Sequence, residues 1–104
     1  DAPRVALTVY TTAPDEETAE KLARGALEAG LAACVNFWPV RTMYRWEGEL
    51  RDDTEQLLLL KCGREKWPQL EQFIKENHPY SLPAIVALPW EASHAPFRNW
   101  VEGT

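Results

Sequence analysis

The chain of 104 residues has little of what several large classes of protein depend on. It has two cysteines and five glycines, and its 11 lysines and arginines are outnumbered by 16 aspartates and glutamates, for a net charge of −5. Two cysteines are too few for a disulfide scaffold, and an acidic chain without a basic cluster does not suit nucleic-acid phosphates. No apolar run approaches the roughly 18 residues of a membrane span. We expect no signal peptide. We expect one domain over residues 1–104, with no nucleic-acid or membrane partner.

Motifs of common enzymes and metal proteins are missing as well. The glycines are dispersed, so the sequence contains no phosphate-binding loop and predicts no organic cofactor. CxxC, HExxH and EF-hand patterns are absent. Cys34 or Cys62 could pair with His78 as thiolate and imidazolium, but no local signature surrounds either cysteine. Because no set of nucleophile, base and orienting group can be assembled, we expect no enzymatic activity.

Apolar and aromatic residues, in contrast, are plentiful. Hydrophobic residues make up 45% of the chain, and five residues are tryptophan. A chain this short leaves much apolar surface uncovered, and large aromatic side chains dominate interfaces as well as cores. We therefore expect some tryptophans to lie between the subunits of a small homo-oligomer.

The first third of the chain predicts a strand followed by a helix. Residues 4–12 alternate and are rich in β-branched residues, which is typical of a strand. The apolar face of that strand comprises Val5, Leu7 and Val9. Asp15 is placed to cap the helix and Gly30 to end it. The apolar stripe of the helix comprises Ala19, Leu22, Ala23, Ala26 and Leu27.

The middle of the chain predicts a long hairpin. Residues 32–46 and 49–62 are extended stretches joined by a tight turn at Glu47 and Gly48, and Pro39 indicates a bulge or an edge position. About fourteen residues per arm at roughly 3.3 Å each give ~46 Å. A domain of this size has a diameter of only ~34 Å. We expect the hairpin to extend beyond its own domain and its tip to pair with a neighbouring subunit.

The last third predicts a helix over residues 63–77, an apolar strand over residues 81–90 and a short helix capped by Ser93. The apolar side of the short helix comprises Phe97, Trp100 and Val101. The order β-α-β-β-α-β predicts an α+β, ferredoxin-like sandwich with a long hairpin and a short C-terminal helix.

Two thiols are candidate ligands for a soft metal. If the turn centres on Gly48, positions Cys34 and Cys62 are equidistant from it and face each other across the hairpin. With His78 they would suit Cu(I) or Zn(II). The alternative is that both cysteines are buried packing residues, and a bulge at Pro39 would shift their register.

Two cationic side chains leave alternatives open. His78 follows a predicted helix, where it could cap a carbonyl or serve as a ligand or proton carrier. Lys61 ends an apolar strand, where it could bind an anionic ligand or pair with a carboxylate.

Seven ordered segments carry a resemblance to a known family. They are TAPDEETAEKLA (12–23), LAACVN (31–36), YRWEGEL (44–50), LLLLK (57–61), HPYSLP (78–83), IVALP (85–89) and an aromatic-x-x-Trp motif at 97–100. Together they make the chain similar to the CutA divalent-cation-tolerance family over almost its full length.

The resemblance implies a cytoplasmic homotrimer of ferredoxin-like subunits, linked to copper and other divalent cations. It also implies inter-subunit clefts like those of the PII signalling proteins, which bind small effectors. By motif, the cleft positions are Cys34, Lys61, His78, Tyr80, Trp46 and Trp100. The chain departs from the family at Ala84, where a glutamate is usual, and at Cys62, where a threonine is usual.

We therefore expect a non-catalytic trimer that binds divalent metal ions, as copper (Cu(I) or Cu(II)) or Zn(II), through Cys34, His78 and Cys62. The expected ligand cleft comprises Lys61, Tyr80, Trp46 and Trp100. The alternatives are a PII-like module that binds a small anionic effector, and a structural trimer that anchors a partner protein.

Overall fold

The computed structural model describes residues 6–104, which form four strands and three helices. The elements are β1 (Ala6–Ala13), α1 (Glu16–Glu28), β2 (Cys34–Trp46), β3 (Glu49–Gly63), α2 (Trp67–Asn77), β4 (Ile85–Pro89) and α3 (Ala95–Gly103). They build one sheet in the order β2-β3-β1-β4, and every neighbouring pair is antiparallel. The predicted α+β, ferredoxin-like fold is confirmed.

The predicted first strand and first helix are present. Residues 4 and 5, at the start of the predicted strand, lie outside the described residues. The side chain of Asp15 accepts a hydrogen bond from the backbone N–H of Thr18 at 2.7 Å, and Gly30 has φ 71° beyond the helix end. Leu27 is 43% exposed, so its place in the predicted apolar stripe is wrong. The buried stripe of α1 is narrower than the sequence pattern and ends at Ala26.

The hairpin turns through two residues. Glu47 and Gly48 have φ values of 51° and 79°, as the tightest hairpin turns require. From the turn, the register runs without interruption from Trp46 opposite Glu49 to Cys34 opposite Lys61. The bulge that Pro39 suggested is therefore wrong, whereas its edge position is confirmed, because β2 forms one edge of the sheet.

The outer half of this hairpin is a two-stranded arm. β1 covers β3 only from Gln56 to Gly63, so residues 49–55 of β3 pair with residues 40–46 of β2 and, within the described chain, with nothing on their other side. The described chain measures 46 × 26 × 21 Å. The expectation that the hairpin extends beyond its own domain is confirmed.

The last third differs from prediction in its boundaries. α2 begins at Trp67, after a turn of 3-10 helix at residues 64–66, and β4 is only five residues long. The predicted cap at Ser93 is wrong, because α3 begins after His94, which makes no side-chain capping bond. On α3 only Val101 is buried, while Trp100 is 51% exposed.

The two faces of the sheet have different surroundings. One face packs against the helices and forms the core with alternate residues of β1 and β3. These core residues include Leu7, Val9, Leu58, Leu60 and Cys62 from the strands, and Leu22, Leu70 and Ile74 from the helices. The opposite face, here called the open face, is not covered by α1 or α2 in residues 6–104. At one end of it Trp90, which stacks on Phe97 of α3, donates a hydrogen bond to the side chain of Thr8. Within that range, no helix is both long and apolar enough to span a bilayer.

Candidate functional site

The open face of the sheet is largely apolar. Its side chains are those that alternate with the core residues, so they project away from α1 and α2. Trp38, on the edge strand, is 42% exposed, and Val86 and Leu88 on β4 are exposed to a similar extent. Apolar surface of this kind is typical of a protein–protein contact. The apolar side chains of this face include Tyr10, Trp38, Leu57, Leu59, Val86 and Leu88.

At one end of the open face, a free thiol lies beside a lysine. Cys34 and Lys61 are partners in the β2–β3 ladder, and Lys61 Nζ lies 3.9 Å from Cys34 Sγ. Lys61 also donates a hydrogen bond to Asn36 Oδ1. Cys34 is half-buried as a free thiol. Within residues 6–104 no carboxylate forms an ion pair with Lys61, so the ammonium group keeps its charge uncompensated on this face.

Cys62 lies on the other face of the sheet. The expectation that it faces Cys34 is wrong, because the turn is centred between Glu47 and Gly48 and places Lys61 opposite Cys34. A shift of one residue sends a strand side chain to the opposite face. Cys62 is therefore buried in the core, where burial and the nearby Glu65 carboxylate raise the pKa of its thiol to about 11.

His78 uses both ring nitrogens for internal hydrogen bonds. Nε2 lies 2.6 Å from the carbonyl oxygen of Thr12, and Nδ1 lies 3.1 Å from the backbone N–H of Tyr80. These partners assign the neutral tautomer, in which Nε2–H donates to Thr12 and Nδ1 accepts from Tyr80. No nitrogen lone pair remains for a metal. Cys34, Cys62 and His78 thus lie apart, and residues 6–104 hold no cluster of three metal-binding side chains.

A cleft of about 480 Å³ lies on the open face at the base of the arm. Its walls come from β1, from the arm and from the loop between α2 and β4. Thr42, Ser81 and Ala84 contribute small side chains, and Arg51 lies at the arm side. The larger lining residues are Tyr10, Tyr44, Trp46, Glu55, Tyr80 and Leu82.

Two tyrosine–carboxylate hydrogen bonds organise this cleft. The hydroxyl of Tyr80 donates to Glu55 Oε2 at 2.9 Å, and the hydroxyl of Tyr44 donates to Asp53 Oδ2 at 2.7 Å. Burial and the bond to Glu55 raise the pKa of Tyr80 far above its ordinary value, so Tyr80 stays protonated and remains a donor. The bond to Asp53 likewise raises the pKa of Tyr44.

Of the predicted cleft residues, the fold brings Trp46 and Tyr80 together within one chain. Lys61 lies outside this cleft, at the Cys34 end of the face. Trp100 also lies outside it and stacks on Phe97, with ring centroids 5.8 Å apart.

Glu55 is a cleft residue that was not predicted from the sequence. Its signal was present, because Glu55 precedes Leu57 and Leu59 at the strand period of two. A carboxylate aligned with apolar side chains on one face is unusual enough to mark a candidate site. Position 84 also lines the cleft, but it is alanine in this chain and supplies no carboxylate. Glu55 is therefore the only carboxylate among the described lining residues.

Comparison with known proteins places these features in a family context. The sequence pattern of the family described as CutA1 divalent ion tolerance protein matches residues 7–104. Protein CutA of Mus musculus is 37% identical over 93 residues, which cover 88% of this chain and 52% of the mouse protein. The chain thus spans about half the length of that relative.

Solved structures show the same fold. The divalent cation tolerance protein of Thermus thermophilus superposes with a TM-score of 0.90 at 39% identity, covering 94% of this chain and 96% of that one. The CutA of Archaeoglobus fulgidus, described as periplasmic, superposes with a TM-score of 0.89 at 36% identity, covering 92% and 94%.

Proposed function

The chain belongs to the CutA1 divalent ion tolerance family, and on that premise we propose that it is a non-catalytic, cytoplasmic protein of divalent-cation tolerance. It works as a homotrimer that binds divalent metal ions, copper first. The observation that carries the oligomer is the open face, which continues directly into an arm whose β3 edge has no neighbouring strand within residues 6–104.

The arm supports self-association through its backbone. Within the described chain, residues 49–55 of β3 lack a neighbour on one side, and residues 49–54 are exposed. An unpaired strand edge is a template for another strand, and an isolated two-stranded ribbon is marginally stable in water. A neighbouring subunit that pairs with this edge and covers Trp38 and Leu88 would satisfy both the backbone and the apolar surface.

The metal site of this proposal centres on Cys34. It is the half-buried thiol on the face that faces other subunits, and a thiolate is the ligand that copper prefers in its reduced state. Metal sites need several ligands, whereas Cys62 and His78 are engaged elsewhere in the fold. The remaining ligands therefore come from neighbouring subunits, which makes copper binding dependent on the trimer.

Light scattering on the full chain tests the assembly. We expect a mass three times that of one chain at micromolar concentration, with no change on tenfold dilution. A monomer mass would contradict both the trimer and the shared metal site.

A competition titration with Cu(I), Cu(II) and Zn(II) tests the metal site. Cys34→Ser should abolish stoichiometric Cu(I) binding, whereas Cys62→Ala, the matched control at the second thiol, should retain it. Weak binding that neither variant changes would mean that both thiols are structural.

A PII-like role is the second candidate, and the uncompensated ammonium group of Lys61 favours it. It predicts that inorganic phosphate raises the melting temperature without metal and that Lys61→Ala removes this effect. A trimer that anchors a partner protein would respond to neither metal nor phosphate.

A further inference from the structure

The charged side chains of the open face are separated along the sheet. Strand alternation places five of them on this face, all from β3: Glu49, Arg51, Asp53, Glu55 and Lys61. The three carboxylates and the arginine lie on the arm, whereas the lysine lies at the opposite end of the strand. Within residues 6–104, the strands β1, β2 and β4 add no charged side chain to this face. The open face therefore has a negative end and a positive end.

The positive end lacks a counter-charge from its own chain. The ammonium group of Lys61 lies near Cys34 Sγ and donates to Asn36 Oδ1, which leaves one of its three N–H groups available. Glu55, the nearest carboxylate along β3, is six residues away, roughly 20 Å, which is about twice the screening length of physiological salt. The proposed function covers this face with a neighbouring subunit, and burial of a charge without a partner is strongly unfavourable. The counter-charge therefore has to come from that subunit.

Of the three arm carboxylates, Asp53 is the one available for such a contact. Glu49 already pairs with an arginine of its own arm, at 3.8 Å. Glu55 is only 8% exposed, and its carboxylate accepts a hydrogen bond within its own chain. Asp53 is exposed, and only its Oδ2 accepts a hydrogen bond among residues 6–104, from the hydroxyl of Tyr44 at 2.7 Å. Its Oδ1 matches the one available N–H group of Lys61.

We propose that Lys61 of one copy forms an ion pair with Asp53 on the arm of a neighbouring copy. The inference rests on the proposed homotrimer and names the contact that orients one subunit on the next. In a closed ring of three copies the negative end of each open face meets the positive end of the next, so the pair occurs three times. Because the pair neutralises Lys61, it is incompatible with the phosphate-binding role of that lysine.

An exchange of the two charges tests the pair, with Lys61→Glu, Asp53→Lys and the double variant. Light scattering at one protein concentration measures the urea midpoint at which the trimer dissociates. Each single reversal should lower this midpoint, because it opposes like charges at all three contacts. The double variant should recover at least half of the summed loss, because the pair is restored with its signs exchanged. Within one chain the two positions are eight residues apart on β3, roughly 26 Å, so recovery reports a contact between copies.

Glu49→Lys is the matched control, because it makes the same change of charge on the same side of the arm. Combined with Lys61→Glu, it should not recover the midpoint; recovery equal to that of Asp53→Lys would refute a specific contact.

Neutral variants keep the test valid if a reversal prevents folding. The double variant of Lys61→Gln and Asp53→Asn should lose no more than the larger single loss, because the second change removes a partner that is already gone. Additive losses in a trimeric parent would overturn the ion pair alone. A monomeric parent would overturn the homotrimer of the proposed function and the ion pair with it.

Discussion

The packing of α1 on α2 depends on the absence of a side chain at Gly25. A methyl group at this position would lie 2.6 Å from Cζ and 3.3 Å from Cε1 of Phe73. Carbon atoms in contact prefer separations of roughly 3.5–4.0 Å, so the ring would have to move. The Phe73 ring is packed against the core, which limits how far it can yield.

Two opposing effects set the magnitude for Gly25→Ala. Alanine is favoured over glycine inside a helix by about 1 kcal/mol. Overpacking a well-filled contact costs about 1–3 kcal/mol. We expect the clash to prevail, with a net loss of about 1 kcal/mol in the free energy of unfolding. When Phe73 is replaced by alanine the clash is absent, so Gly25→Ala should then stabilise the protein by about 1 kcal/mol.

Denaturant unfolding of four proteins measures this change of sign: the parent chain, the two single variants and the double variant. All four are compared at one protein concentration, because dissociation of an oligomer would make the apparent stability depend on concentration. The effect of Gly25→Ala is read within each background, so the cost of Phe73→Ala itself cancels. If Gly25→Ala stabilises the protein equally in both backgrounds, the close approach of Phe73 does not constrain this position.

Two further predictions concern ionisable groups. Iodoacetamide at pH 8 should modify one thiol per native chain, at Cys34. Cys62 should not react, because it is buried and its raised pKa keeps the thiol protonated. Mass spectrometry that finds Cys62 modified first would contradict its place in the core. The hydrogen bond from the backbone N–H of Thr18 lowers the pKa of the Asp15 carboxyl. The ionised carboxylate therefore stabilises the folded protein above about pH 4, and this stabilisation is lost as the pH falls through the lowered pKa. Thermal melts of the parent chain and Asp15→Ala should therefore converge in acid, and a gap that stays constant with pH would show that the charge of Asp15 is unimportant.

Local patterns predicted most of the secondary structure. The cap at Asp15 and the end of the helix near Gly30 depend on backbone groups within a few residues, which sequence neighbours satisfy. The turn at Glu47 and Gly48 is equally local, because two residues must adopt positive φ there. The length of the arms then followed from the rise per residue alone.

Boundaries and caps in the last third were predicted less well. Pro83 and the residues around it form a loop instead of extending β4, and His94 precedes α3 in place of Ser93. The loop before β4 places Tyr80 near Glu55. Sequence neighbours carry no information on such a contact between residues 25 positions apart.

The sequence by itself determined the order of the elements, the hairpin and the helix ends, because these depend on interactions within one or two turns of chain. Only the tertiary structure decided the register between the two strands of the hairpin and which distant side chains meet. A half-residue difference in the centre of the turn shifted the register by one residue and moved Cys62 from the side of Cys34 into the core, since successive strand side chains point to opposite faces. The same alternation placed Glu55 in the aromatic cleft. There its carboxylate accepts a hydrogen bond from Tyr80, which lies on a loop that only the fold brings near.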